Sequence, residues 1–202
     1  MTIWLGINPP VLASQSRARQ ALWTAAGLNP EIDPADIDER AVQKAAGITE
    51  PGEIAALLAR EKALAVSRRR PDRFVIGADQ TLALGTRAFN KPSGLMQAAE
   101  QLAALAGQTH ELHSAVAVTQ NGEVRFSTVS TARMTMRPLS GSEIEAYLRE
   151  AGPLVISSVG AYQLEGLGVH LFDRIEGDHF TILGLPLLPL LAFLRRHALL
   201  SV

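Results

Sequence analysis

A chain of 202 residues, 47% hydrophobic and 19% charged, carries enough apolar material for one sizeable domain or two closely joined lobes, which excludes a disordered protein. Its formal net charge of −1 sets up no global field toward nucleic acid or an anionic membrane, so a phosphate ligand must be held by local basic residues. The absence of cysteine excludes disulfides and thiolate metal sites and fits a reducing, cytoplasmic setting.

The apolar run from Val11 to Ala13 reads as a strand and meets Ser14-Gln15-Ser16. A helical pattern follows to Ala26, with Gly27 as its stop signal. Pro30 to Asp38 is broken by prolines and reads as loop. A second helix is expected from about Glu53 to Arg68, with Ile54, Leu57, Leu58 and Ala65 on one face. Phe74-Val75-Ile76 reads as a buried strand ending in Gly77-Ala78-Asp79, with another short strand at Thr81 to Leu84. A third helix covers Leu95 to Leu105 and stops at Gly107. Strands at His113 to Thr119 and Glu123 to Met136 flank Asn121-Gly122, a hairpin signal because both central residues of a type I′ turn need positive φ. Ser140 and Glu143 form a capping box for a helix to Glu150. After a glycine-rich stretch (Gly160, Gly166, Gly168) come a strand at Val169 to Ile175 and a turn at Glu176-Gly177-Asp178. Phe180-Thr181-Ile182 and a last helix from Leu187 to His197 close the chain.

Alternating helices and strands with one antiparallel hairpin imply an α/β fold, a mixed twisted sheet flanked by helices. The apolar stretch Ile182 to Leu194 contains Pro186 and Pro189 and falls short of the roughly 20 residues a bilayer requires, so it reads as core. Met1 to Pro10 has neither a basic region nor an apolar run of signal-peptide length.

Five places can carry chemistry. Ser14 and Ser16, with Arg17 and Arg19 in the following first turn, can cradle an anion at a helix N-terminus or serve as an ordinary cap, and both readings fit the local chemistry. Lys62 falls at helical spacing from Ile54 and Leu58, so it either snorkels or pairs with something acidic or phosphorylated. Asp79 follows a buried strand, where a carboxylate can hold a metal or orient a water, or merely cap a turn. The adjacent carboxylates Asp38-Glu39 suit a hard cation or are simply solvated, and Lys91, before a proline, can reach an anion. The five histidines have no metal-ligand spacing, and serine-hydrolase, Walker and dinucleotide motifs are absent.

In this order and spacing the pieces resemble the Maf family of nucleotide pyrophosphatases. The matching residues are Ser14, Ser16 and Arg19, then Asp38-Glu39, Glu61-Lys62-Ala63, Gly77-Ala78-Asp79, Lys91-Pro92, Gly107 to His110 and Gly184 to Leu187. The resemblance implies one Maf-like domain over residues 1–202, with two lobes around a central cleft as in inosine triphosphatase-like folds, and often a homodimer. It implies hydrolysis of a nucleoside triphosphate to the monophosphate and pyrophosphate with a divalent cation, Mg2+ or Mn2+. Asp79 would then be general base or metal-linked carboxylate and Glu39 a metal ligand. Lys62, Lys91 and Arg19 would neutralise the triphosphate that Ser14 and Ser16 bind. No nucleic acid polymer or membrane is implied as a partner.

Departures from the family pattern bear on the base. Members acting on dTTP and UTP have Asp-Thr where this chain has Asp79-Gln80, Asp-Lys-Ala-Gly at Ser157-Ser158-Val159-Gly160, and Gln at Glu165. Gln80 and Glu165 are similar to the subgroup acting on 7-methyl-GTP, and a carboxylate can accept from both N1–H and N2–H of a guanine edge. Ala18 stands where that subgroup often has a tryptophan. The competing reading is a non-catalytic nucleotide-binding regulator of septum formation and cell division.

Overall fold

The computed structural model describes residues 3–202, so the first two residues of the Met1 to Pro10 segment lie outside it. Among the described residues the strands form one seven-stranded mixed sheet. Val11–Leu12 (β1) pairs in parallel with Glu31–Ile32 (β2) and with the start of Val75–Leu84 (β3). Arg87–Phe89 (β4) returns antiparallel along the end of β3, with Leu82 opposite Phe89 and Leu84 opposite Arg87. Thr109–Gln120 (β5) and Glu123–Met136 (β6) are joined at Asn121 and Gly122, whose φ values of 54° and 76° are those a type I′ turn demands. Phe172–Glu176 (β7) runs antiparallel to the end of β6, giving the order β2-β1-β3-β5-β6-β7 with β4 on β3.

The helices follow their end signals. Arg17–Ala25 (α1) starts behind Ser16, and Gly27 leaves it at φ 73°. Glu39–Ala46 (α2) has Asp38 as its cap, and Pro51–Ser67 (α3) has Glu50. Leu95–Leu105 (α4) ends as expected, and Gly141–Ala151 (α5) has the full capping box between Ser140 and Glu143. His179–Ile182 (α6) and Leu187–Arg196 (α7) complete the set. No helix among the described residues is long and apolar enough to cross a membrane.

Several expectations are corrected. The strand expected to end in Gly77-Ala78-Asp79, with a separate one at Thr81 to Leu84, is one continuous β3, so Asp79 lies within a strand rather than past its end. Gly77 is not a breaker there. A Cβ on it would sit 2.1 Å from the Ala59 carbonyl oxygen and 2.7 Å from the Ala63 nitrogen, so this glycine lets α3 lie directly on β3. The proline-broken loop contains β2, too short to be legible without its partner β1, and Glu39 belongs to a helix rather than to solvated loop. Val169 and His170, expected in a strand, belong to a 3₁₀ turn over Leu167–Leu171 that precedes β7. Two further 3₁₀ turns, Gly152–Ser157 and Val159–Ala161, precede it, the second containing Gly160.

Packing divides the chain into two compact units. The first comprises Met1–Gln80, Ser114–Ser130 and His179–Val202, with a core that includes Leu12, Trp23, Ile76, Val116, Leu185 and Phe193. The second comprises Thr81–His113 and Thr131–Asp178. At its centre His110 is fully buried against Tyr162 and Phe172, with His110 Nε2 2.7 Å from the Tyr162 hydroxyl. The histidine of the Gly-Gln-Thr-His segment is thus a core residue. Its Nδ1 has no hydrogen-bond partner.

Burial pulls the His110 pKa from 6.5 down to about 4. The unfolded chain therefore takes up this proton first, and stability falls as pH drops through the window from 6.5 to about 4. The integrated loss is up to roughly 3 kcal/mol. Thermal unfolding across that window should show a Tm slope that His110→Leu flattens. An identical slope in the variant would refute the assignment.

Candidate active site

The residues singled out in the first unit converge from four elements. β1 ends at Leu12, and the chain turns through Ser14 before α1 begins. The Ser16 hydroxyl accepts from the Arg19 backbone nitrogen at 3.4 Å, so it is an N-cap. Ser14 is buried, and its hydroxyl oxygen accepts from the Ser16 nitrogen and from Arg19 Nη1, both at 3.3 Å. Arg19 then reaches across the sheet end. Its Nη1 donates to the Ala78 carbonyl at 2.9 Å and its Nε to the Gly184 carbonyl at 2.8 Å. All these partners are neutral oxygens. Burial lowers the guanidinium pKa, which the charges of Asp79 and Glu39 partly offset.

The helix α3 supplies the second charge. Its buried face carries Ile54, Leu58, Ala59, Ala63 and Val66, and Lys62 lies on it, only 9% exposed. The close contact at Gly77 brings that face onto β3. Asp79, two residues along and hence on the same side of the strand, meets Lys62. Lys62 Nζ donates to Asp79 Oδ1 at 2.6 Å and lies 2.8 Å from Glu39 Oε1. The lysine therefore pairs rather than snorkels. Asp79 is 7% exposed, and burial raises its pKa. Lys62 and Arg19 pull it back down, while the like charge of Glu39 adds to the rise.

The pair Asp38-Glu39 divides its labour. Asp38 accepts from the Ala41 nitrogen at 3.0 Å and caps α2, leaving Glu39 to face Lys62. Gln80, next to Asp79, donates through Nε2 to Ser114 Oγ at 2.8 Å and to the carbonyls of Thr181 and Ile182 at 3.1 and 3.0 Å. Its amide nitrogen thus ties β3 to β5 and α6. Lys91 and Glu165 fall in the second unit, where both are exposed.

The arrangement is a concentration of charge with few internal outlets. Two carboxylates face one ammonium, and a guanidinium beside them is satisfied only by neutral oxygens. Two carboxylates within reach of one point suit a hard divalent cation whose remaining ligands come from phosphate and water. A buried carboxylate held toward neutrality suits proton transfer. Sequence reasoning missed the carbonyls of Ala78 and Gly184 and the hydroxyl of Ser114. The backbone acceptors leave no trace in side-chain identity. Gly184, at φ 87°, was the available signal that the chain turns there.

A family model described as Maf-like protein matches residues 9–197. The chain belongs to the Maf family. Among its relatives, a "Nucleoside triphosphate pyrophosphatase" of Rhodopseudomonas palustris is 65% identical over 201 residues, covering 100% of both chains. A protein of the same description in Bradyrhizobium diazoefficiens is 61% identical over 202 residues, again across 100% of each. A "7-methyl-GTP pyrophosphatase" of Rhizobium meliloti is 51% identical over 188 residues, covering 92% of this chain and 94% of that one. Within this Maf chain the motif residues sort by environment. Ser14, Arg19, Lys62 and Asp79 interlock in the first unit, whereas His110 is packed into the core of the second.

Proposed function

We propose that this chain hydrolyses a nucleoside triphosphate to the nucleoside monophosphate and pyrophosphate. The observation that carries the reading is Lys62 bridging Asp79 and Glu39 beside Arg19, whose side chain donates to the Ser14 hydroxyl and to the Ala78 and Gly184 carbonyls. Positive groups satisfied by neutral atoms or by internal carboxylates can redirect to phosphate oxygens, which form stronger charge-assisted bonds. Its relatives described as nucleoside triphosphate pyrophosphatases support the same reading.

Arg19, with Ser14 and Ser16 at the head of α1, receives phosphate oxygens. Lys62 neutralises negative charge that develops as the anhydride opens, and Lys91 is assigned the same role by its motif position. Asp79 orients a water toward the α-phosphorus and accepts its proton, a role that its raised pKa suits. The oxygen between the α- and β-phosphorus leaves with the pyrophosphate. Glu39 and Asp79 would hold Mg2+ or Mn2+, which when bound supplies charge neutralisation across the phosphates. Positioning and electrostatics are what phosphoryl transfer chiefly requires.

For the base, 7-methyl-GTP is the substrate we assign, supported by Gln80, Glu165 and the likeness to the relative described as a 7-methyl-GTP pyrophosphatase. Glu165 accepts from the guanine edge. Gln80 contributes by holding the 181–182 carbonyls and Ser114 in place, because its amide nitrogen is already engaged with them. A homodimer in the cytoplasm is the setting that goes with this role in clearing modified nucleotides.

The test is a panel of UTP, dTTP, CTP, GTP and 7-methyl-GTP with magnesium or manganese, pyrophosphate and monophosphate being measured separately. Pyrophosphate release greatest from 7-methyl-GTP is expected. Preference for another nucleotide would overturn the base assignment alone. Binding without release from any nucleotide would overturn the reaction and leave the regulator.

A further inference from the structure

Two stretches of the second unit that the sequence singled out, Lys91 and Ser157 to Gly160, are joined by a residue that no motif includes. Gln101 lies on α4 and is 6% exposed. Its Nε2 donates to the Asn90 carbonyl at 2.9 Å, and its Oε1 accepts from the Gly160 nitrogen at 3.1 Å. Only one orientation of the amide satisfies both contacts, since a carbonyl needs a donor and a backbone N–H needs an acceptor. One buried side chain therefore grips the peptide immediately before Lys91 and the last residue of the 157–160 stretch.

The gripped turn is strained. Gly160 has φ 77° and Ala161, which follows it, has φ 59°, a conformation that an alanine adopts only when its surroundings impose it. A Cβ at Gly160 would sit 2.6 Å from Leu82 Cδ1 and 2.8 Å from Tyr162 Cε1, so the backbone is pressed against its neighbours. The Tyr147 hydroxyl donates to the Ala161 carbonyl at 3.4 Å from the other side. Lys91 itself is exposed, and its direction is set by the chain on either side of it, Asn90 and the buried Pro92.

We propose that Gln101 is a positioning residue that fixes the backbone presenting Lys91 and holds it in register with the Ser157–Gly160 turn. This rests on the reading above that Lys91 meets the triphosphate. The donor arm, to Asn90, aims the lysine. The acceptor arm, to Gly160, stabilises the strained turn. Gln101→Glu separates them, because a carboxylate still accepts from the Gly160 nitrogen but cannot donate to the Asn90 carbonyl.

The experiment compares Gln101→Leu and Gln101→Glu in wild-type and Lys91→Ala backgrounds. Readouts are kcat/KM for pyrophosphate release from 7-methyl-GTP, calorimetric affinity for its magnesium complex, and Tm. In the wild-type background each Gln101 variant should lower kcat/KM and affinity about tenfold, with Gln101→Glu keeping a Tm closer to wild type than Gln101→Leu. In the Lys91→Ala background the same changes should cost less than twofold, the non-additivity of two groups acting as one. Equal losses in both backgrounds, or full activity in Gln101→Glu, would overturn the proposal. If Lys91→Ala alone changes neither readout, the reading of Lys91 fails and this proposal with it. If no pyrophosphate is released but the affinities follow the expected pattern, only the reaction reading fails.

Discussion

Replacing Asp79 by asparagine should lower pyrophosphate release by about a thousandfold, within the range that loss of a general base produces, while nucleotide affinity stays within a few-fold of wild type. Asparagine preserves shape and a hydrogen-bond acceptor beside Lys62 but cannot take a proton from water. Affinity should hold to that extent because Arg19 and Lys62 remain, Glu39 keeps its carboxylate, and the asparagine oxygen can still face a cation where the carboxylate did. Single-turnover measurement of pyrophosphate, alongside calorimetry with the magnesium nucleotide, separates the two effects. Turnover above a tenth of wild type would remove Asp79 from the chemistry. The acid limb of kcat/KM should also lie above the ordinary carboxylate range, in the direction that burial pushes Asp79, and should vanish with the substitution.

Gly77→Ala should be the most damaging single methyl in the first unit. The added carbon would fall 2.1 Å from the Ala59 oxygen and 2.9 Å from the Ala63 side chain, and the first of these is backbone that cannot swing aside. Either α3 lifts off β3 or the strand bends. We expect a loss of about 3 kcal/mol or more, roughly 6–12 °C in Tm for a chain of this size. Activity should fall beyond what unfolding explains, because the same contact brings Lys62 to Asp79. A Tm within 2 °C of wild type, a margin of about 1 kcal/mol, would show that the helix does not depend on this approach.

Those two residues also show where sequence reading succeeds and where it stops. The capped helices α1 and α5, and α4 with its apolar stripe and the stop at Gly107, were legible from the chain itself, as was the Asn121-Gly122 hairpin. Gly77 was misread because glycine in a strand signals either a break or a close approach, and only the partner distinguishes them. The strands β2 and β4, two and three residues long, exist through pairing with β1 and β3. The helix α2 is eight residues long and buries none of them, so its short apolar face of Ala41, Val42, Ala45 and Ala46 gave no core signal. For the site, the charged residue types were visible and the helical spacing of Lys62 pointed at a partner. That the partner is Asp79 depends on β3 continuing as a strand past Asp79, where the sequence had read its end.

The two carboxylates around Lys62 differ in how firmly they are moored. Asp79 stands inside the continuous strand β3, between the part paired with β1 and the part paired with β4, so its backbone moves only if the strand moves. Glu39 is the first residue of a helix that buries nothing, and half of its side chain is open to water. Parting it from Lys62 breaks one ion pair and disturbs no core. One acid is therefore a post and the other a latch, free to swing away from the lysine while the post keeps its place.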